Sequence, residues 1–267
     1  MSLLIIARDE LVRLFATRRG WLSVAAFVAL WALALIYVVV PITRFLANSD
    51  ESGMLEMVLG PLGLAALAGW PSPQLAVYWV IALYLLPPFA VLVAADQTAS
   101  DLGRGTLRFH ALRASRPAIY LGRFSGQCLV QLGLVLATLA TVLVAIGVQT
   151  PDRLPDSLLA APFVVLNLMV LLLPWVALMG VCSAVARSPR QATLYAVLAW
   201  IVVTLALSLA RDAFGPLALF DHVMPGSEAG TLRGLADPAT LALLPVPLIQ
   251  TLVLLALGLF AFGRRDL

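Results

Sequence analysis

Lysine is missing from this 267-residue chain; its 17 basic residues are all arginine. A P-loop needs a lysine to reach the β- and γ-phosphates, so this chain has none. Kinase-type phosphate chemistry and Schiff-base chemistry fall for the same reason. If the protein uses ATP, another chain binds it. Asp221, His222 and Met224 sit close in sequence, and imidazole and thioether both suit copper. Three loosely spaced residues read more simply as an ordinary loop. Cys128 and Cys182 form no CxxC pair and no metal-type spacing, so they read as small buried side chains. No catalytic, metal or cofactor site is expected in this chain.

The remaining polar residues of interest lie inside apolar runs. Gln127 and Gln131 are one helical turn apart, Asn167 follows in the next run, and Gln250 is in the last. They could line a path, but bonding between helices is the commoner role. Gly122 and Gly126 have the small-xxx-small spacing of close helix packing. The apolar runs themselves contain no Asp, Glu, Arg or His. Ion-coupled carriers and proton pumps usually carry such residues as relays, so those classes are disfavoured. An intramembrane protease is disfavoured too, because no histidine is placed to activate a serine.

The elements that must hold these residues are membrane helices. The chain is 62% hydrophobic and 12% charged, with a mean hydropathy of +1.00. Soluble domains are roughly 25% charged, so the bilayer is the expected solvent. We expect an all-α membrane protein of one domain, 1–267. Six spans are placed near 21–40, 76–95, 124–148, 159–186, 191–210 and 241–262. Pro87, Pro88 and Pro174 fall inside spans and should kink or locally break them. Residues 2–19 read as an interfacial elbow helix, with Leu4, Ala7, Leu11, Leu14 and Phe15 on one face. The apolar stretch 54–70 is too broken by glycine and proline to be counted as a span.

Thirteen arginines fall at the two termini and in the second and fourth connections; Arg44, Arg153, Arg211 and Arg233 fall on the other side. The positive-inside rule then puts both termini in the cytoplasm. Nine acids, Glu228 among them, fall on the outer side, where they read as ordinary solvated loop residues. Gly226, Gly230 and Gly234 recur there every four residues, which reads as flexible loop.

The connection 96–123 is the richest. Thr98 followed by Asp101 has capping-box spacing, so a helix over 99–113 is expected, ending ahead of Pro117. Leu102, Phe109 and Leu112 would share one face, with Arg104 and Arg108 on another. Such a two-faced helix suits docking on a partner. The same arginines equally suit a topology-setting loop that touches anionic lipid.

Asp101, Gly103, Gly105-Thr106-Leu107, Pro117 and Gly122-Arg123-Phe124 resemble the first cytoplasmic loop of the type-2 ABC exporter permeases. The N-terminal "ARDELVRLFATRRGW" and the C-terminal "FGRRDL" resemble the family's elbow helix and usual ending. Asp101-Leu-Gly-Arg104 stands where family members often carry a glutamate-rich stretch. The resemblance implies a bacterial inner-membrane permease, forming the translocation path with a second permease chain, identical or similar. It implies two copies of a cytosolic ABC ATPase that bind ATP and Mg, with membrane lipid as surroundings and no nucleic-acid partner. It also implies ATPase coupling through Asp101, Leu102, Gly105, Thr106, Leu107, Phe109 and Leu112, and a smaller contact at Arg187–Arg190. The alternatives are a stand-alone channel or carrier, and a non-transporting scaffold for assembling or maturing a periplasmic factor.

Overall fold

The structure is a computed structural model that describes residues 12, 18–41, 43, 70–214, 222–232 and 238–264. The expected elbow helix 2–19 and the stretch 54–70 lie almost entirely outside these residues. Among the described residues the chain is all helical, with no strand. Five helices are long and apolar enough to cross a membrane. The expected first span is the exception. It is an α-helix, α1 (Arg18–Ala34), continued by a π-helical stretch, Leu35–Val39, and its apolar part, Val24–Val39, is shorter than the other five.

The next helix, α2 (Pro73–Ala94), starts where Ser72 accepts a hydrogen bond from the Leu75 amide, with Pro73 in the first turn. Serine before proline is a strong start signal, because the hydroxyl satisfies an orphan amide and proline has none to lose. The same device, Ser115 accepting from the Ala118 amide, opens α5 (Arg116–Gln149). A single 3-10 turn, Pro151–Arg153, leads into α6 (Leu154–Val185), and α7 (Pro189–Phe214) follows. Both α2 and α6 stay helical through Pro87, Pro88, Pro162 and Pro174, so of the expected kink or break the helices show no break. Proline is tolerated in apolar helices whose neighbours re-satisfy the freed carbonyls.

The centre of the bundle is α6. It packs on α2, α5 and α7, and most extensively on the last helix, α9 (Pro245–Gly263). Val164, Leu168, Leu171, Leu172, Val176 and Met179 of α6 are buried. By contrast α7 exposes Val197, Leu198, Val202, Leu205 and Leu209, the pattern of a helix whose outer face meets lipid or another chain. The first helix is tied in by Trp31, whose indole donates to Thr141 at 2.9 Å, and by ring contacts of Phe27 with Phe89 and Trp31 with Tyr78.

One end of the bundle is marked by Gln74 beside Gln149 and Thr150, and by Ser157 donating to Ser72 at 3.0 Å. The opposite, arginine-rich end holds the connection from α2 to α5. Between α7 and α9 the chain does not stay at the first of these ends. Residues 222–232 carry a short helix, α8 (Ala229–Leu232), and a 3-10 stretch, Pro238–Leu243, precedes α9. Leu232 accepts at 3.0 Å from the Trp79 indole, Thr240 accepts at 2.7 Å from Asn167, and Gly226 lies against the Trp175 ring. At about 1.5 Å per residue, Trp175 is about 15 Å along α6 from Val185 and about 30 Å from Leu154. The segment therefore reaches well into the length of the bundle. Glu228 is buried there, not solvated as a loop acid was expected to be.

Candidate functional site

The connection at the arginine-rich end departs from the expected single helix over 99–113. Two short helices take its place, α3 (Ala99–Arg104) and α4 (Leu107–Ala111). The break is Gly105, at φ 70°, in the left-handed region where glycine has no Cβ penalty. The Gly105 amide donates to the Leu102 carbonyl at 3.2 Å and the Thr106 amide to the Asp101 carbonyl at 3.0 Å. That pair of bonds is a Schellman stop, so the Gly-Thr dipeptide ends one helix and turns the chain into the next.

Thr98 precedes α3 but makes no side-chain cap bond. Its hydroxyl pairs instead with Ser183 of α6 at 3.1 Å, and Asp96 Oδ1 accepts from the Ser100 amide at 3.1 Å. The expected capping box is thus replaced by an aspartate two residues earlier. Tertiary contact with α6 has taken the threonine. Gln97, which the sequence did not single out, donates to the Val176 carbonyl at 3.0 Å and is fully buried.

Asp101 is the hub of this region. Its carboxylate pairs with Arg123 of α5 and accepts from the Thr106 hydroxyl at 3.2 Å. The two charged side chains are 13% and 9% exposed, so the pair is largely shielded from water. Leu107 is buried with Ile119, Tyr120, Ala184 and Phe262, and Leu102 packs against the same cluster. Gly103 allows close approach of the Arg187 carbonyl, where any side chain would collide. Asp101, Thr106 and Leu107 thus point inward and, with the close approach at Gly103, clamp the connection to the bundle, while Gly105 turns the chain.

Phe109 and Leu112 do the opposite. They are 70% and 83% exposed, and Arg104, Arg108 and Arg113 are exposed around them. The expected shared face of Leu102, Phe109 and Leu112 is therefore corrected. The turn at Gly105 sends Leu102 inward and leaves the other two outward.

Tyr120 organises the same end. Its ring lies beside Phe262, and its hydroxyl fills the space left by Gly180 of α6 and Gly258 of α9. Arg116 donates to the Gly263 carbonyl at 2.6 Å, and Arg264 stands over the Phe260 ring at 4.2 Å. The connection from α6 to α7 is closed locally. The Gln191 side chain accepts from the Arg187 amide at 3.0 Å, and Ser188 accepts from the Gln191 amide at 3.3 Å.

The polar residues of the apolar helices separate as well. Gln127 and Gln131 are both buried in α5, and neither amide atom of Gln131 has a partner among the described residues. Asn167 donates to Thr240. Gln250 holds residues 222–227 through bonds to the carbonyls of His222 at 2.7 Å and Met224 at 3.0 Å, with Ser227 Oγ at 3.5 Å. Among the described residues there is no group of three His, Cys, Asp or Glu side chains able to hold a metal.

Glycine signals at 103 and 105 are legible in sequence, but the Asp101–Arg123 pair joins residues far apart in the chain. The Tyr120 wedge likewise depends on glycines of two other helices. No curated protein matches the chain. Residues 4–267 match the family described as ABC-2 family transporter protein, a family of membrane-spanning permease chains that are not themselves ATPases. A match over nearly the whole length, together with five apolar helices of spanning length, makes this multi-pass membrane protein a member of the ABC-2 transporter family.

Proposed function

We propose that this chain is the permease subunit of an ATP-driven exporter and that the connection 99–113 docks on a separate ATPase. The observation that carries this reading is the division of labour within the connection. Its first half is clamped to α5 and α6 through Asp101, Thr98, Gln97 and Leu107. Its second half presents Phe109 and Leu112 with three arginines around them. A rigidly held, outward apolar pair is what a partner groove can grip, and the clamp passes a push on that pair to two long helices.

The rest of the arrangement follows from this reading. ATP and Mg bind the partner ATPase, present in two copies. A second permease chain, identical or similar, completes the path and covers part of the exposed face of α7. Arg18–Val39 is the first of six spans, both termini are cytoplasmic, and the membrane is the bacterial inner membrane. Arg187–Arg190 is a second, smaller ATPase contact.

The test is Phe109→Ala with the ATPase co-expressed. A buried aromatic at an interface centre carries about 2 kcal/mol or more. We expect weakened co-purification, or hydrolysis no longer stimulated by cargo, with insertion and folding intact. A variant that behaves like wild type, alongside misinsertion when Arg104, Arg108 and Arg113 are neutralised, would sink the docking reading in favour of a topology-setting loop.

A further inference from the structure

The two feet of the connection between α2 and α5 meet inside the bundle without bonding. Gln97 stands just past the end of α2, and Tyr120 lies one turn into α5; both are buried, at 0% and 1% exposure. Gln97 Nε2 donates to the Val176 carbonyl of α6 at 3.0 Å, and Thr98 pairs with Ser183, so this foot is fixed to α6. Gln97 Oε1 and the Tyr120 hydroxyl have no partner among the described residues. Both face the bare Cα of Gly180. A Cβ built there would stand 3.2 Å from the amide oxygen and 2.7 Å from the phenol oxygen, so both oxygens lie within 3.2 Å of one point.

The two groups are complementary. A phenol O–H donates, an amide oxygen accepts, and leaving either unmet in a dry interior is costly. The fold goes further to house the hydroxyl. Gly258 of α9, like Gly180 of α6, has to lack a side chain, since a Cβ at either position would collide with the phenol oxygen. Phenylalanine would pack on Phe262 equally well and would need neither glycine. An oxygen for which two helices forgo side chains, and which bonds nothing here, is placed for a bond made in another arrangement. Bare glycine faces also let α5 move against α6 and α9 with no side chain in the way. Arg123, three residues on in α5, holds the Asp101 carboxylate, so a displacement of the connection reaches the turn that carries Tyr120.

We propose that Tyr120 and Gln97 are the two halves of a latch. When the connection is pushed, α5 shifts against Gly180 and Gly258, and the phenol donates to Gln97 Oε1. The bond ties the two feet together in the nucleotide-bound arrangement of the complex and opens on return to the arrangement described here. The latch rests on the reading that the connection docks on an ATPase.

The experiment uses the full chain co-expressed with the ATPase, purified as the complex in lipid nanodiscs and trapped with MgATP and orthovanadate. Trapped nucleotide per complex should fall about fivefold in Tyr120→Phe, the weight of one net hydrogen bond. Co-purification of the ATPase, and thermal unfolding without nucleotide, should stay as in wild type, because the latch is open there. A hydroxyl that only fills space would leave trapping unchanged. Gln97→Leu should lower trapping as well, and adding Tyr120→Phe to it should lower it no further. Gln97→Leu also loses the Val176 bond, so where it fails to fold, a structure of the trapped wild-type complex takes its place. That structure should bring the Tyr120 hydroxyl within hydrogen-bond distance of Gln97 Oε1. Wild-type trapping in Tyr120→Phe, additive effects of the two substitutions, or a trapped structure with the two oxygens apart or bridged by water overturns the latch and leaves docking standing. A wild-type chain that does not bind the ATPase overturns both.

Discussion

Two acid–base pairs each fasten a non-spanning segment to the bundle, and they differ in how they can be undone. In the Asp101–Arg123 pair both side chains are shielded, the arginine cannot lose its charge, and the Thr106 hydroxyl adds a further bond. In the His222–Glu228 pair one partner is half exposed and the other is buried. The first arrangement is a permanent fixture, suited to passing force. The second leaves one partner open to water. The number of charges is the same; burial and residue type set the difference.

The comparison breaks most sharply at Asp101. Asp101→Ala strands the buried Arg123, and losing one member of a buried pair costs about 3–5 kcal/mol. Thermal unfolding of the purified protein should register this loss. Swapping the two residues, Asp101→Arg with Arg123→Asp, should recover part of it. Equal unfolding temperatures for wild type and Asp101→Ala would show that the pair is no fixture.

A smaller effect is expected one layer deeper. Gly258→Ala places a methyl group where the Tyr120 hydroxyl lies, and overpacking of this kind costs about 1–3 kcal/mol. Tyr120→Phe removes the colliding atom and should restore stability in the double variant. The hydroxyl has no partner among the described residues, so its removal alone should cost little. A double variant no better than Gly258→Ala would place the collision elsewhere.

At the second pair the anchor is Gln250. Replacing it with leucine removes its bonds to the His222 and Met224 carbonyls, each worth about 1 kcal/mol net. Hydrogen exchange over 222–232 should quicken, while exchange over 96–107 stays as it was. Faster exchange in both would mean the two segments are not independent fixtures. The smallest expected effect is at Phe109, whose replacement by alanine should shift stability by no more than about 0.5 kcal/mol. A large loss of stability there would place the ring inside the fold rather than on a partner-facing surface.

Much of this molecule is legible from the residues in order. Apolar runs of spanning length and the scarcity of charge dictate a membrane bundle, because no water-soluble core could hide them. The helix starts were less so: α2 and α5 begin at Pro73 and Arg116, behind the caps Ser72 and Ser115, earlier than the 76 and 124 read from the apolar runs. The missing lysine rules out a P-loop whatever the fold.

Which way each side chain of the connection points was not legible. Leu102, Phe109 and Leu112 share a face only if the helix continues past Gly105. The backbone turned there because Leu107 and Asp101 find partners on α5, α6 and α9. Thr98 carries a capping signal but bonds Ser183, since a neighbour in space outcompetes one in sequence. Glu228 lies among loop residues in sequence, yet it is buried, in a segment that Gln250 holds and that meets Trp175 through Gly226. Local pattern determines which runs form long apolar helices, because that depends on neighbours along the chain. Which polar groups are buried, and against what, was decided only by the assembled bundle, because that depends on residues the chain order keeps far apart.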